Sequence, residues 1–222
     1  MKKHFIHIPK NGGMTIRHSP HLKGKITLST PNNHITPEYT KRLKAQMVKY
    51  GEHHGNEHAR WRDLKENIRN GECFAVIRNP WSKVVSRYTY SELAHKNGSK
   101  YAPMSFTFEE FLEQRHEFGN LEFFWHRAIK GWFQQKDHVT DDQGNLKVDI
   151  LRLDHLDEDI SKYFNISVDM NVRNLSNVSN HNYKDFYNDS TKRIVADWYA
   201  EDIEFFGFTF DGGATKNIWN IK

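Results

Sequence analysis

The chain has little with which to staple itself together. One cysteine, Cys73, in 222 residues excludes an internal disulfide framework and suits a reducing compartment. No segment is long and apolar enough to span a membrane. No repeat, low-complexity tract or linker interrupts the chain, which reads as a single domain over residues 1–222. Gly-Lys-Ser/Thr never follows a spaced glycine, so a Walker A loop is absent, and no His-Glu-x-x-His pattern marks a metal site. The net charge of +4 is modest and spread along the chain, which argues against nucleic acid and mildly favours a smaller anionic ligand. Met1-Lys2-Lys3-His4 runs straight into the first predicted strand and leaves no room for a signal peptide. Cytoplasmic location is the expectation. The Asn-x-Ser sequons at Asn97, Asn165, Asn174, Asn177 and Asn188 are accordingly read as polar loops rather than glycan sites.

What is present is a core and an alternating pattern. With 37% hydrophobic and 14% aromatic residues the chain can bury a substantial interior. Strands are expected at Lys3–Ile8, Cys73–Ile77 and Val148–Leu153. Helices are expected from Met14 to a limit at Pro20, over 37–50, 59–70 and 80–96, from the Thr107-Phe108-Glu109-Glu110 capping box, and over 120–131, 156–164 and 190–205. Residues 18–34 read as loop. Strands separated by helices imply an α/β fold with a central parallel sheet flanked by helices, whose ligands bind beyond the strand C-terminal ends.

Two stretches carry chemistry. In Phe5-Ile6-His7-Ile8-Pro9-Lys10-Asn11-Gly12-Gly13-Met14-Thr15, an apolar strand breaks at proline and enters a lysine, two glycines and a helix start. Glycines let backbone N–H groups crowd an anion, and the lysine adds a full positive charge. In Phe74-Ala75-Val76-Ile77-Arg78-Asn79-Pro80-Trp81-Ser82-Lys83-Val84-Val85-Ser86-Arg87-Tyr88 the logic recurs, with a cation at a strand end and a helix opened by proline. A strand-end arginine can grip a phosphate bidentately, and Ser86, on the second turn of that helix, can donate to the same group.

These stretches resemble the 5′-phosphosulfate and 3′-phosphate motifs of sulfotransferases that use 3′-phosphoadenosine 5′-phosphosulfate (PAPS), most closely the carbohydrate branch. Further landmarks of that family are similar to Asp149-Ile150-Leu151-Arg152-Leu153-Asp154-His155-Leu156, to Asn177-Val178-Ser179 with Tyr183 and Tyr187, and to Asp202-Ile203 through Phe206-Gly207-Phe208-Thr209-Phe210. The resemblance implies a P-loop-like, three-layer sulfotransferase fold and transfer of a sulfuryl group from PAPS to an acceptor hydroxyl, expected on a carbohydrate. It implies cofactor contacts from Lys10, Asn11, Gly12, Gly13, Met14 and Thr15 at the 5′ end, from Arg78 and Ser86 at the 3′-phosphate, and from Ser179. Lys10 would also stabilise charge on the departing phosphate, leaving adenosine 3′,5′-bisphosphate as product, with no metal required in principle. Asn11 and Met14 replace the threonines usual in the first motif, Lys83 a usual arginine, and Asp154 a usual glutamate.

The acceptor hydroxyl needs a base. His58, in a His-Ala pair where related sequences carry one, is the first candidate and His54 the second. His53, His54 and His58 also form a cluster with metal-ligand spacing, but no supporting cysteine or His-Glu-x-x-His pattern accompanies it. The rival readings are a non-catalytic module that binds PAPS or a sulfated glycan, and a nucleotide-dependent kinase or NTPase. The latter lacks both its glycine-lysine motif and an evident magnesium carboxylate. Acceptor identity and oligomeric state are not encoded in these motifs.

Overall fold

The structure is a computed structural model that describes residues 2–29, 34–50, 56–98, 107–119, 132–170 and 182–215. Its centre is a four-stranded, all-parallel sheet of β1 (Lys3–Ile6), β2 (Ile26–Leu28), β3 (Cys73–Ile77) and β4 (Asp149–Arg152), in the order β2-β1-β3-β4. Phe5 pairs with Leu28 on one side and Phe74 on the other, and Ala75 pairs with Ile150. Parallel neighbours need long crossovers, which helices provide. These are α1 (Gly13–His18) after β1, α2 (Pro37–Tyr50) and α3 (Glu66–Arg69) before β3, and α4 (Pro80–Lys96) after it. Next come α5 (Phe108–Glu113), α6 (Arg115–Phe118) and α7 (Lys136–Val139). Beyond β4 lie α8 (Leu156–Phe164), α9 (Asp189–Trp198) and α10 (Ala200–Phe206).

β3 is buried at every position, which is why it reads as an unbroken apolar run rather than an alternation. Its side chains alternate between two cores. Cys73, Ala75 and Ile77 join Tyr39, Val84, Phe111 and Val195 in one cluster. Phe74 and Val76 join Ile16, Leu151, Leu156 and Ile160 in the other, so helices cover both faces of the sheet. The start of α4 follows from its cap: Asn79 Oδ1 accepts the N–H groups of Trp81 (3.0 Å) and Ser82 (3.3 Å), and Pro80 occupies the first helical position. The Thr107/Glu110 capping box forms with both of its reciprocal bonds.

Several expectations are corrected. Residues 18–34 are not all loop, because Ile26–Leu28 adds a three-residue edge strand to β1. β1 stops at Ile6 rather than Ile8, where the Ile8 N–H turns back to the Ile6 carbonyl (3.2 Å). The helix expected over 59–70 is a 3₁₀ turn at Trp61–Asp63 followed by the short α3. Non-local backbone pairing breaks it: the Thr36 N–H donates to Asp63 O (3.0 Å) and the Lys65 N–H to His34 O (2.8 Å). The last long helix divides at Tyr199 into α9 and α10, where Gln134 Nε2 donates to the Trp198 carbonyl. The helix expected over 120–131 lies outside the described residues. Among the described residues no helix is long and apolar enough to cross a membrane.

This topology defines a crevice. From β1 the chain crosses to β2 on one side, while β3 and β4 lie on the other. The connections after β1 and after β3 therefore diverge at the carboxyl ends of the two central strands. Open parallel sheets bind their ligands at such a point.

Candidate functional site

The turn after β1 is held in an unusual backbone. Lys10 has φ +67° and Gly12 φ +75°, both left-handed. A left-handed lysine is uncommon and costs of order 1 kcal/mol, so its surroundings must hold it. Glycine is favoured at two successive positions for different reasons. At Gly12 it is the positive φ, with a Cβ there also 2.7 Å from the movable Leu153 Cδ1. At Gly13 a Cβ would lie 1.8 Å from His7 Nε2, so only glycine admits the His7 ring. α1 begins here, and a helix leaves its first N–H groups without intrahelical acceptors. Those of Gly13 and Met14 are among them, and Gly12 at the cap has no side chain to take them.

Within this turn the side chains divide. Lys10 is partly exposed, its Nζ 4.1 Å from the centroid of the Tyr90 ring. Burial, and then the positive charges of Arg78 and Arg87, lower its pKa to about 7. Met14 is exposed and Thr15 buried. The Asn11 carboxamide is committed inside the protein, where Nδ2 donates to the Val76 carbonyl (2.8 Å) and to Gln135 Oε1. The contribution expected from Asn11 is thereby limited to its backbone, and the backbone N–H itself donates to Ile8 O (3.3 Å).

The turn after β3 presents Arg78. Its Nε and Nη2 donate to Ser82 Oγ (3.0 and 2.9 Å) and its Nη1 donates to the Lys10 carbonyl (3.0 Å). The second motif thus holds the strained residue of the first. Burial lowers the Arg78 pKa to about 10, with Asp154 pulling it back up, so the guanidinium stays charged at neutral pH. Ser82, Ser86 and Tyr90 recur every four residues along α4 and share one face. Ser82 meets Arg78 and Tyr90 meets Lys10, and half-buried Ser86 lies between those two residues along the helix face.

His58 borders the first turn from a 3₁₀ segment, Asn56–His58. Its Nδ1 lies 2.9 Å from the His7 carbonyl, and its ring centroid lies 4.4 Å from that of His7. A carbonyl only accepts, so Nδ1 carries the proton and the basic lone pair belongs to Nε2. Burial lowers the His58 pKa, opposed by Glu57, and burial also lowers that of His7. Both imidazoles are therefore neutral at pH 7. His54 and Ser179 lie outside the described residues.

Sequence reasoning missed Gln135, which joins the two turns, and also Ser82, Tyr90 and His7. The fourfold spacing of Ser82 and Tyr90 about Ser86 was available as a signal. Gln135 belongs to no motif and lies 124 residues from Asn11, so no local signal existed. Elsewhere, a groove of about 490 Å³ lies along the end of α1 and β2, lined by Arg17, Ser19, Leu22, Lys23 and Ile26 among others, and neither Lys10 nor Arg78 borders it. Among the described residues no group of three or more His, Cys, Asp or Glu is placed to hold a metal ion. No family model, curated protein or solved structure matches the chain.

Proposed function

We propose that the protein is a PAPS-dependent sulfotransferase of P-loop-like, three-layer fold, acting on an acceptor hydroxyl of a carbohydrate. One observation carries the reading. Two cations, Lys10 in the turn after β1 and Arg78 directly after β3, come together where the connections of the sheet diverge, with Arg78 Nη1 3.0 Å from the Lys10 carbonyl. Two separate cationic centres suit a nucleotide with phosphates at both ends of its ribose. Arg78 and Ser86 would hold the 3′-phosphate, and Lys10 with the N–H groups of Gly13 and Met14 the 5′-phosphosulfate.

In the transfer, the acceptor oxygen forms a bond to sulfur as the bond from sulfur to the bridging 5′-phosphate oxygen breaks. The departing phosphate gains negative charge, which Lys10 and the backbone dipoles offset. The acceptor proton passes to His58 Nε2, the nitrogen left basic by the bond from Nδ1 to His7 O. A neutral histidine takes the proton, and Lys10 with the backbone dipoles meets the growing charge, by analogy with phosphoryl transfer.

The test is transfer of label from PAPS to a panel of sugar, tyrosyl and small-alcohol acceptors. Turnover on sugars, lowered about 10²–10³-fold in Lys10→Ala and about 10²–10⁴-fold in His58→Ala at saturating donor, is the expected result. Undiminished turnover in Lys10→Ala would sink the mechanism, and normal turnover in His58→Ala would remove that residue as base. Tight adenosine 3′,5′-bisphosphate binding with no transfer to any acceptor would favour the non-catalytic module. Magnesium-stimulated ATP turnover would favour the kinase or NTPase.

A further inference from the structure

Gln135 is fully buried in the segment that leads into α7. Its carboxamide touches both anion-facing turns. Oε1 accepts from Asn11 Nδ2 and from the Arg78 backbone N–H (3.0 Å), while Nε2 donates to the Arg78 carbonyl (2.9 Å). Two donors facing one terminal atom and a carbonyl facing the other leave only one orientation of the amide. The start of this side chain is fixed as well: the Gln135 N–H donates to Asp202 Oδ2 (2.8 Å) and the Lys136 N–H to Asp202 Oδ1 (2.9 Å). Asp202 is itself buried on α10. One amide, anchored from the C-terminal helix, therefore bridges residue 11 of the first turn and residue 78 of the second.

We propose that Gln135 is a positioning residue that sets the spacing between the Lys10 turn and the Arg78 turn. It thereby makes the site selective for ligands with two anionic groups a fixed distance apart. Hydrogen bonds from a third element, itself anchored to Asp202, let neither turn shift without leaving a buried donor or acceptor unsatisfied, which is costly. A ligand with a single phosphate engages one turn and is indifferent to the spacing; a bisphosphate engages both and depends on it. The choice of ligand rests on the donor-site reading above, whereas the coupling of the two turns does not.

The experiment is a double-mutant cycle. Gln135→Met, Asn11→Ala and the double variant are titrated by calorimetry with adenosine 3′,5′-bisphosphate and with adenosine 5′-monophosphate. Hydrogen exchange is followed in each ligand-free protein. Each single variant is expected to weaken the bisphosphate about tenfold and the monophosphate less than about threefold. The double variant is expected to be no worse than the weaker single one. In Gln135→Met, exchange is expected to quicken together in residues 8–16 and 76–82. Equal fractional loss for both ligands, or losses that multiply in the double variant, overturns the proposal and leaves the donor-site reading intact. If the unaltered protein binds neither ligand, the donor-site reading falls and exchange decides alone: acceleration in both turns upholds the bridge, and acceleration in one or neither overturns it. Asn11→Ala keeps the test open should Gln135→Met fail to fold.

Discussion

The two turns carry similar residues in similar places, yet they hold their cations differently. Arg78 is fixed by three hydrogen bonds, to Ser82 and to the Lys10 carbonyl, and its backbone is clamped by Gln135. Lys10 is fixed at its backbone but its ammonium rests on one ring, that of Tyr90. The difference extends to charge, since Arg78 remains fully cationic at neutral pH while Lys10, with a pKa of about 7, is divided between its two forms. A preorganised cation suits recognition of a group that does not change. A lysine poised near neutrality instead gains its charge when an anionic group arrives, and so stands as a full cation beside that group when it reacts. In the proposed chemistry these are the 3′-phosphate and the 5′-phosphosulfate respectively.

Removing one cation at a time breaks the comparison most strongly. Lys10→Ala is expected to lower turnover about 10²–10³-fold, with a smaller loss in donor affinity, read from single-turnover and steady-state rates. Arg78→Ala is expected to invert that split, weakening adenosine 3′,5′-bisphosphate about a hundredfold in a calorimetric titration. If both variants lose affinity and rate in the same proportion, the two turns do not divide the work.

Charge sharpens the comparison next. Lys10 sits at about pH 7 in the free protein, and an arriving phosphate favours its protonated form. Binding should therefore take up a proton, and affinity should fall as pH rises above about 7. The slope of the observed enthalpy against the ionisation enthalpy of the buffer will then differ between the unaltered protein and Lys10→Ala, where only the ligand phosphates exchange protons. Equal slopes in the two proteins near pH 7.5 would contradict this assignment.

Smaller effects concern the groups that hold each cation. Ser82→Ala removes the acceptor for Arg78 Nε and Nη2 and is expected to weaken the bisphosphate about three- to tenfold, with the monophosphate nearly unchanged. Tyr90→Leu removes only a cation–π contact of about 0.5–1 kcal/mol. That contact stabilises the ligand-free state, so affinity is expected to rise about two- to fourfold; a fall would mean that Tyr90 touches the ligand itself.

Much of this arrangement was legible in the sequence where the signal was local. β3, α4 and α8 have the bounds expected for them, because an apolar run, an Asn-Pro start and an acidic first turn are properties of neighbouring residues. The placement of Arg78 directly after β3 followed from the same local grammar, whereas Lys10 lies four residues beyond the end of β1. The remainder depended on distant partners. β2 is three half-buried residues at a sheet edge, too short to show a period. The 59–70 segment has helical composition but exchanges backbone hydrogen bonds with residues 34–36 instead. Asn11 reads as a loop residue facing a ligand, and becomes an internal one because the Val76 carbonyl and Gln135, both far along the chain, take its carboxamide. Tertiary hydrogen bonding, not propensity, decided each of these.

The most direct measurement is a calorimetric comparison of adenosine 3′,5′-bisphosphate, adenosine 5′-monophosphate and ATP with the unaltered protein and Arg78→Ala at pH 7. Two cationic turns held at a set spacing predict that the bisphosphate binds at least about tenfold more tightly than either competitor, and that Arg78→Ala abolishes the preference. Equal binding of all three, or a preference for ATP that survives Arg78→Ala, would contradict it.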